Sequence, residues 1–425
     1  MNADRGTALV RSLLVAFCIV VAPSPVAVAA DAAAPPPILL AGTRPPETTL
    51  GDSTLATAQA AWLDMIEGAR QTLDIEQFYV SEQPGEALSP VLQAVGEAAK
   101  RGVRVRLLID GAMARTYPQP AESLGRLENV KLRIVDYRRI AGGVQHAKFL
   151  VADGRDAFVG SQNFDWRALS QIHELGARVR IPEVAAAMSD VFEADWRLAD
   201  TTQTAPAPVT AGDVSWPVAF TQDGAAGQVW LSASPRAQTP PSIPWDRDVL
   251  VERIAGARQE IVLQSLGYGV ESHGASDSTL HRSLLDAARR GVHVKFLVSD
   301  WVIGGRGEPA LRALAAEPNV EVRVSRVPDW SGGYIPFARV EHCKYMVVDG
   351  VWLWLGTSNL EPSYFLTSRN LAITMRHAPL ARQARGIFER GWSGPTATPL
   401  RADTKLAPRP HGEKAPEGAR VYGGR

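Results

Sequence analysis

One pattern of polar residues occurs twice in the 425-residue chain, with the same internal spacing each time. The first copy, QHAKFLVADGRDAFVGSQNFDWR, begins at Gln145, and the second, EHCKYMVVDGVWLWLGTSNLEPSYF, begins 196 residues later at Glu341. Each copy has the form HxKxxxxD followed by GxxN. A single copy can arise by chance, whereas two copies in register indicate a duplicated unit whose halves act together.

The duplication matches four polar residues of one half with four of the other. In each copy the histidine and the lysine are two residues apart in an apolar run, so a β-strand would direct both side chains to one face. If the two strand ends meet, two imidazoles and two ammonium groups converge on one pocket. The aspartates each precede a glycine and are interpreted as turn-forming residues in a supporting role. The matched pairs are His146 with His342, Lys148 with Lys344, Asp153 with Asp349, and Asn163 with Asn359.

The similarity between the halves extends beyond this motif. GARQTLDIEQ is echoed by GARQEIVLQS, and AAKRGVRVRLLID is echoed by AARRGVHVKFLVS. Apolar periodicity predicts helices over 54–69 and 88–99 and strands over 73–80 and 103–110. This β-α-β order predicts an α/β fold of two pseudo-symmetric halves, packed around one active site. Each half is expected to hold a mostly parallel mixed sheet flanked by helices.

Residues 1–29 are predicted to be a signal peptide that directs the protein to secretion or to the periplasm. A charged start precedes the apolar stretch 13–22, which is too short to span a bilayer, and Ala27-Val28-Ala29 is typical of a cleavage site. An uncleaved membrane anchor is the alternative. The other predicted segments are a Pro/Ala-rich flexible segment (30–50), the first half (51–200), a linker (201–245), the second half (246–395) and a disordered tail (396–425).

Charge and cysteine content restrict the function only weakly. The chain has 45 basic and 45 acidic side chains, so no global basic field indicates a nucleic-acid or membrane surface, although a local basic cleft is compatible with it. Cys18 falls in the predicted signal peptide, which leaves Cys343 without an internal disulfide partner. Because strand side chains alternate between faces, Cys343 is expected to point away from the pocket and into the core.

The residues resemble the phospholipase D superfamily, whose signature is two HxKxxxxD segments in one active site. Within it, the likeness is greatest to the phospholipase-D-like 5′ exonucleases of animal lysosomes. This likeness is carried by FDWRALSQ after the first motif, by IPFARVEHCKYMVVD around the second, and by GTSN and SYF after it. It extends over roughly residues 50–395. The resemblance implies a phosphoric diester hydrolase that needs neither metal nor cofactor.

The chemistry follows from what a phosphodiester requires. Lysine and asparagine side chains can donate to the non-bridging oxygens, where charge rearranges in the transition state. One histidine can attack phosphorus while the other protonates the leaving oxygen. Water would then cleave the phosphohistidine, or an alcohol would do so in transphosphatidylation. The residues assigned to this site are His146, Lys148, Asn163, Glu174, His342, Lys344 and Asn359.

The two halves differ at one further position. Glu174 follows His146 by 28 residues, and Asn370 follows His342 by the same number. In the family an acid at this position bonds the second ring nitrogen of the histidine. Because only the first copy keeps a carboxylate, the hypothesis is that His146 is the nucleophile and His342 the general acid, with Asn370 in a supporting role.

The substrate is not specified by the motif. Phospholipid and single-stranded nucleic acid both remain candidates, and a lipid substrate would imply peripheral contact with a membrane. Trp301, Trp330 and Tyr334 lie in Gly-rich loops, where they could stack a base, line an acyl groove or simply pack. Neither the substrate-binding residues nor the oligomeric state can be predicted. An inactive phosphate- or lipid-binding protein is the alternative, which the intact histidines and lysines disfavour.

Overall fold

The computed structural model describes residue 1 and residues 34–200 and 214–423. The residues from Pro36 onward form one compact unit. The predicted signal peptide lies outside the described residues except for Met1, so its prediction is untested. Among the described helices, none has both the length and the apolar character that crossing a bilayer requires.

The first half is an eight-stranded sheet with helices on both sides, and β4 and β9 pair separately beside it. Its strands are β1 (Ile38–Thr43), β2 (Ala56–Thr57), β3 (Thr72–Gln77), β4 (Val80–Ser81), β5 (Arg104–Asp110), β6 (Val130–Val135), β7 (Phe149–Ala152), β8 (Asp156–Gly160), β9 (Phe164–Asp165) and β10 (Glu174–Val179). Its helices are α1 (Ala58–Gly68), α2 (Ser89–Lys100), α3 (Gly111–Thr116), α4 (Pro118–Gly125), α5 (Tyr137–Ala141) and α6 (Pro182–Leu198).

The second half is a nine-stranded sheet, and β14 and β15 form a small hairpin outside it. Its strands are β11 (Val218–Gln222), β12 (Ala225–Ser234), β13 (Glu260–Ser265), β14 (Glu271–Ser272), β15 (Ala275–Ser276), β16 (His293–Ser299), β17 (Val320–Ser325), β18 (Tyr345–Val348), β19 (Trp352–Gly356), β20 (Asn370–Arg376) and β21 (Ala397–Pro399). Its helices are α7 (Asp246–Ala255), α8 (Thr279–Arg289), α9 (Glu308–Ala315), α10 (Pro362–Leu366) and α11 (Ala378–Ser393).

The two sheets share one strand order. The series β10-β8-β7-β3-β5-β6 of the first half corresponds to β20-β19-β18-β13-β16-β17 of the second. Parallel ladders join β3 to β5 to β6 and β13 to β16 to β17, and also β1 to β2, while the other ladders of both large sheets are antiparallel. The predicted α/β class with two similar halves is therefore confirmed. The sheets are mixed as predicted, but the expectation that they are mostly parallel is wrong, because antiparallel ladders outnumber parallel ones in both.

The two halves share a central apolar core between their sheets, and each also has an outer core of its own. The central core contains the same aromatic pair from each half. Phe192 stacks on Trp196 with ring centroids 5.6 Å apart, and Phe388 stacks on Trp392 at 5.3 Å. Because α6 and α11 bury these rings in one core, the halves are fixed as partners rather than as independent domains.

The prediction that residues 30–50 are flexible is wrong for β1. This strand pairs antiparallel with β10 along its whole length, and its last pair joins Thr43 to Glu174. The Pro and Ala content around the strand concealed a short run that depends on a distant partner for its hydrogen bonds. As a result, a segment predicted to be flexible forms a hydrogen-bonded ladder with β10, the strand that begins at Glu174.

The prediction that residues 201–245 are a linker is also wrong in part, because β11 and β12 belong to the second sheet. The β12 strand pairs with β20 in a register that places Ser234 opposite Asn370. Residues 201–213 lie outside the described residues. In both halves, then, an added strand pairs with the strand that carries a polar residue of the predicted site. The β1 strand pairs with β10, which begins at Glu174, and β12 pairs with β20, which begins at Asn370.

The tail predicted to be disordered is instead packed in its described part. The β21 strand pairs antiparallel with β17. Further along, Arg409 Nε lies 3.5 Å from the buried carboxylate of Asp300. The ring of Tyr422 packs against Trp166 of the first half at a centroid distance of 6.0 Å. Composition predicts local propensity, and it could not reveal these long-range contacts.

We expect Arg409→Ala to lower the free energy of unfolding by about 1–3 kcal/mol, because it removes one of two guanidinium groups that face the buried Asp300. Arg409 also donates 2.7 Å hydrogen bonds to the carbonyls of Val327 and Arg339. Urea denaturation of the full chain measures the change, with the exposed Lys414→Ala as the control. An unchanged midpoint in Arg409→Ala would show that the tail does not dock in solution.

Candidate active site

The histidine and the lysine of each motif lie next to the start of a strand. His146 and Lys148 lie just before β7, and His342 and Lys344 lie just before β18, so each pair projects from one end of its sheet. All four side chains are buried. Lys344 Nζ donates to the His342 carbonyl at 2.6 Å, and Lys148 Nζ donates to the His146 carbonyl in the same way. Each lysine is therefore held over the backbone of its own histidine.

The two motifs meet through the same main-chain contact, made twice. The N–H of His146 donates to the carbonyl of Arg369 at 2.9 Å, and the N–H of His342 donates to the carbonyl of His173 at 3.0 Å. Each contact belongs to a parallel β-bridge between the halves. The pair of bridges obeys the 196-residue offset of the duplication, as an isologous two-fold contact requires. The predicted arrangement, in which both motifs form one site, is confirmed.

The bridges cross-connect the polar residue of each half with the histidine of the other. Glu174 Oε2 lies 2.8 Å from Nδ1 of His342, and Asn370 Oδ1 lies 3.0 Å from Nδ1 of His146. The expectation that Glu174 serves His146, its neighbour in sequence, is therefore wrong. Both β10 and β20 begin at the interface between the halves, so their first side chains reach the opposite motif. Sequence spacing cannot distinguish a contact within one half from a contact across two.

The hydrogen bonds around Asn370 fix which nitrogen of His146 carries the proton. Asn370 Nδ2 donates to the Tyr364 carbonyl at 2.8 Å, and Asn370 Oδ1 accepts from the Thr357 hydroxyl at 2.8 Å. The amide oxygen must therefore face His146, whose Nδ1–H donates to it. This arrangement leaves Nε2 of His146 with its lone pair exposed to the pocket.

Burial and charge make the two histidines unlike. Burial raises the pKa of Glu174 to about 8. Burial, and then Lys148 and Lys344, lower the pKa of His146 well below its usual value. Burial together with the same lysines also lowers the pKa of His342, but this ring contacts a carboxylate. Glu174 and His342 are in direct contact, and burial favours the net-neutral state in which the two groups together hold one extra proton.

The motif asparagines complete the polar pocket. The side-chain oxygens of Asn163 and Asn359 are buried and accept no hydrogen bond from the described residues. A buried amide oxygen without a donor is unfavourable, so these oxygens can accept a hydrogen bond from a ligand, whereas the Nδ2–H groups of the same amides are the ones that can donate to phosphoryl oxygens. Two histidines, two lysines and two amides around one pocket form a set of donors suited to a phosphoryl group.

Comparison with known proteins identifies the family. A family model described as "Cardiolipin synthase, PLD-like domain" matches residues 62–196 and 250–392. The chain belongs to the phospholipase D-like family. It is 32% identical to the rat 5′-3′ exonuclease PLD3 over 83% of this chain and 77% of that protein. It is 29% identical to phospholipase D Z of Dictyostelium discoideum over 82% of this chain and 87% of that protein.

A further relative carries a phospholipase D name, and a solved structure shares the fold. The chain is 27% identical to a probable phospholipase D of Caenorhabditis elegans and spans 65% of its length. The phosphatidylserine synthase of Haemophilus influenzae superposes with a TM-score of 0.59 at 13% identity, over 81% of this chain and 85% of that one. This structural likeness shows the shared phospholipase D-like fold.

The third residue type of the phospholipase D-like motif, the aspartate, lies away from the pocket. The Asp153 carboxylate accepts hydrogen bonds from the main-chain N–H groups of residues 70–72, and Asp349 does the same for residues 258–260. Both aspartates have a left-handed backbone, with φ of 52° and 51°. Each closes the far end of its strand, which supports the turn-forming interpretation.

We expect Asp153→Ala to lower the free energy of unfolding by about 2–4 kcal/mol, because three N–H groups lose a charged acceptor. In the folded fraction, kcat is expected to stay within about threefold of the wild-type value, since no reacting atom is touched. Denaturation and kinetics on the same preparation measure both quantities. Asp223→Ala is the matched control, because Asp223 also has φ of 52° before a glycine but accepts no hydrogen bond from a main-chain N–H group of the described residues. A large fall in kcat would contradict the structural role.

Two cavities flank the phospholipase D-like pocket, and sequence analysis missed most of their lining. Tyr364 lies between them and packs edge-on against the His146 ring, 4.8 Å away. Only the SYF segment that carried the family resemblance pointed to this residue. The cavity of about 610 Å³ is lined by Tyr268, Glu271, His273, Trp301, Arg306, Asn359 and Glu361, among others. The cavity of about 440 Å³ is lined by Phe78, Arg138, His146, Ser363 and Ser368, among others.

Of the three aromatic residues singled out in the sequence, one lines a cavity beside the candidate site. Trp301 forms part of the wall of the larger cavity. Trp330 instead packs against the ring of Tyr422, and Tyr334 pairs with Val421 in the tail. The Gly-rich context was common to all three, so it could not separate a lining residue from packing residues.

Cys343 points away from the pocket, as strand alternation predicted. It is fully buried, and burial raises the pKa of its thiol well above the usual value. His173, Glu341 and Cys343 have metal-ligating atoms within 4.8 Å of one another, but His173 Nδ1 is already 2.8 Å from Glu341 Oε2. We assign this buried group to the support of the bridge between the halves. The expected independence from metal stays a prediction.

Proposed function

We propose that this protein hydrolyses phosphodiester bonds through a covalent phosphohistidine, with His146 as the nucleophile and His342 as the general acid. The observation that carries this proposal is the crossed pair of hydrogen bonds, which gives one histidine an amide partner and the other a carboxylate. The roles are those expected from the sequence, but the physical reason is different.

A nucleophile must begin as a neutral ring with a free lone pair. Asn370 Oδ1 accepts a hydrogen bond from Nδ1–H of His146 without adding negative charge, so it orients the ring and does not favour the imidazolium. The neighbouring lysines also oppose protonation of His146. Nε2 is therefore ready to form the nitrogen–phosphorus bond at neutral pH.

A general acid must begin with a proton to give. Glu174 lies 2.8 Å from Nδ1 of His342, and the proton that this pair holds allows the ring to release its Nε2 proton and remain neutral. As the bond between phosphorus and the leaving oxygen breaks, the Nε2 proton of His342 passes to that oxygen. The neutral His342 then accepts a proton from water, whose oxygen attacks phosphorus and displaces His146. Both histidines finish in their starting states, so protons and bonds balance over the cycle.

The lysines and asparagines would hold the non-bridging oxygens throughout. Lys148, Lys344, Asn163 and Asn359 supply donors around the phosphoryl group, where a metal ion would otherwise supply positive charge. An alcohol that replaces water in the second step would give transphosphatidylation by the same path. Turnover in the presence of a chelator is therefore expected.

Single-stranded nucleic acid is the substrate class we propose. The larger cavity has aromatic walls at Tyr268, Trp301 and Tyr364, on which a base can stack. Within residues 34–200 and 214–423, the exposed large hydrophobic side chains are limited to Leu127, Ile134 and Val421. This surface offers little to insert into a membrane. Relatives named 5′-3′ exonucleases favour the same class, whereas relatives named phospholipase D favour lipid.

A substrate panel with the mature protein tests the proposal. It contains single-stranded DNA, RNA, phosphatidylcholine, phosphatidylglycerol and bis-p-nitrophenyl phosphate, each with chelator. We expect cleavage of nucleic acid and of the nitrophenyl ester. Cleavage of lipid alone would replace the substrate class, and binding of a phosphodiester without any turnover would favour an inactive binding protein.

We also propose that the protein is exported, to the periplasm or the exterior, after removal of residues 1–29. The charged start, short apolar stretch and small-residue site at the N-terminus support this. Expression of the full chain followed by N-terminal sequencing of the mature protein tests it. A cell-associated product that begins at Met1 would contradict cleavage.

A further inference from the structure

The two halves carry an acid at the same place after the motif. Asp165 follows Asn163 by two residues, and Glu361 follows Asn359 by two. The N–H of each acid donates to the carbonyl of the preceding asparagine at 2.8 Å, so the same turn forms in both halves. Any difference between the acids therefore lies in what surrounds their carboxylates.

In the first half this acid is neutralised inside the protein. Asp165 Oδ2 accepts from Nη2 of Arg167 at 2.7 Å and from the Tyr79 hydroxyl at 2.9 Å. Both Asp165 and Arg167 are buried. The acceptor sites of this carboxylate are thus occupied by the protein itself, and it has no capacity left for a ligand.

In the second half the counter-cation is missing. Ser363 occupies the position equivalent to Arg167, and its hydroxyl instead contacts the hydroxyl of Ser272 at 2.7 Å. Among the described residues, none forms a hydrogen bond or a contact of 4 Å or less as an ion pair with the Glu361 carboxylate. Lys344 interacts with the Glu361 carboxylate only at longer range, and burial raises the pKa of Glu361.

The unpartnered carboxylate lines the larger cavity. Glu361 shares that wall with Tyr268, Trp301 and Tyr364, and Asn359 of the motif stands beside it. Glu271 and Arg306 also line this cavity, and both are exposed. A half-buried carboxylate beside aromatic rings, next to a reaction centre, is arranged to receive hydrogen-bond donors from a ligand.

We propose that Glu361 is a specificity-determining residue, whose carboxylate accepts a hydrogen bond from a donor group of the substrate in the larger cavity. The donor is a hydroxyl of a sugar or an ammonium of a head group, carried by the substituent on one side of the phosphate. This inference rests on the proposed phosphodiesterase function. It predicts that the enzyme distinguishes a substituent with this donor from the same substituent with the donor capped.

The turn itself does not need the Glu361 carboxylate, because its main-chain N–H makes the contact that shapes the turn. The carboxylate can therefore be altered with the loop retained. Glu361→Gln keeps the size of the side chain and removes the charge, and Glu361→Ser shortens it. Glu97→Gln is the matched control, since Glu97 is an exposed carboxylate on α2, remote in sequence from the cavity, that pairs with Lys100.

The test compares capped and uncapped substrates in two arms. One arm uses dinucleoside monophosphates and their terminal O-methyl ethers, and the other uses glycerophosphoethanolamine and its N-acetyl derivative. In the arm that matches the natural donor, Glu361→Gln is expected to lower kcat/KM for the uncapped substrate by roughly 10- to 100-fold. The capped substrate is expected to change by less than about threefold. Discrimination between the two forms therefore collapses in the variant.

The outcomes separate the inference from the proposed function. Collapse in the dinucleotide arm identifies a sugar hydroxyl, and collapse in the ethanolamine arm identifies an ammonium group. If Glu361→Gln and Glu361→Ser lower kcat/KM equally for capped and uncapped substrates, or lower it for neither, the proposed role of Glu361 is overturned. Absence of wild-type turnover on every substrate overturns the phosphodiesterase proposal instead.

Discussion

His146→Ala is expected to abolish turnover of every phosphodiester, with a loss of at least about 10⁴-fold in kcat. The reason is that no nitrogen remains to form the bond to phosphorus. The loss should not depend on the leaving group, because attack precedes or accompanies departure for all substrates. Steady-state kinetics on a dinucleotide and on bis-p-nitrophenyl phosphate measure it, with His293→Ala, at an exposed position of β16, as the control.

His342→Ala is expected to behave differently on the same two substrates. A nucleoside alkoxide needs a proton to leave, so kcat on the dinucleotide should fall by roughly 10²- to 10⁴-fold. The p-nitrophenolate ion leaves without a proton, so formation of the phospho-enzyme from the nitrophenyl ester should fall by about tenfold or less. Hydrolysis of that intermediate then slows, because His342 also removes the proton from water.

Enzyme quenched in alkaline denaturant provides the direct readout of the intermediate, because the nitrogen–phosphorus bond of a phosphohistidine survives alkali and is hydrolysed in acid. Labelled phosphoryl group should accumulate on His342→Ala during reaction with the nitrophenyl ester, and it should be missing from His146→Ala. Label that persists in His146→Ala and disappears from His342→Ala would reverse the two roles. Equal sensitivity of both variants to the leaving group would remove the distinction between nucleophile and acid.

Local elements of this fold are readable from the sequence because periodicity is a local property. The helix predicted over 88–99 is observed as Ser89–Lys100, and the strand predicted over 103–110 is observed as Arg104–Asp110. The duplication extended this success to the pairing of the halves, since neither half holds a complete set of reacting groups. The strands β1 and β21 were missed because each is short and pairs with a strand distant in sequence, whereas the ten-residue β12 was missed because the Pro-rich stretches on either side of it were interpreted as one linker.

The candidate site shows the same division between local and long-range information. The histidines and lysines were placed on one face by strand alternation, and the structure brings them together. The partners of the two histidines were exchanged, because β10 and β20 cross the interface and spacing along the chain does not encode that crossing. No sequence pattern singled out Glu361. Its role becomes visible only when it is compared with Asp165, the equivalent acid of the first half, which pairs with Arg167 whereas Glu361 has no such partner.

The hydrogen bonds of Glu174 with His342 and of Asn370 with His146 predict the second large effect, which is a pH dependence of activity. Its alkaline limb should change in Glu174→Gln and its acidic limb in Asn370→Asp. In the wild type, the Glu174–His342 pair must hold its extra proton, and burial raises the pKa of Glu174 to about 8. Activity on a dinucleotide should therefore fall as the pH rises through about 8. His146 must be neutral, and its pKa lies well below the usual value, so activity should persist into the acidic range.

Glu174→Gln should lower kcat on the dinucleotide at pH 7 by roughly 10²- to 10⁴-fold. Without the carboxylate the pair loses its proton more easily, so the alkaline limb of the profile should move to lower pH. Asn370→Asp should act on the other limb. A carboxylate beside His146 favours the imidazolium, so the pKa of His146 rises and the acidic limb should move to higher pH.

Lys344 could produce an alkaline limb of its own, because burial lowers its pKa to about 8. The nitrophenyl ester separates the two causes, since its leaving group needs no acid. With this substrate, we measure the rate of phospho-enzyme formation as the pH rises. If the Glu174–His342 pair causes the alkaline fall in activity, that rate should no longer fall. If Lys344 causes it, the fall should remain. Profiles of Glu174→Gln and Asn370→Asp that shift the same limb, or neither limb, would show that the crossed hydrogen bonds do not set the roles of the two histidines.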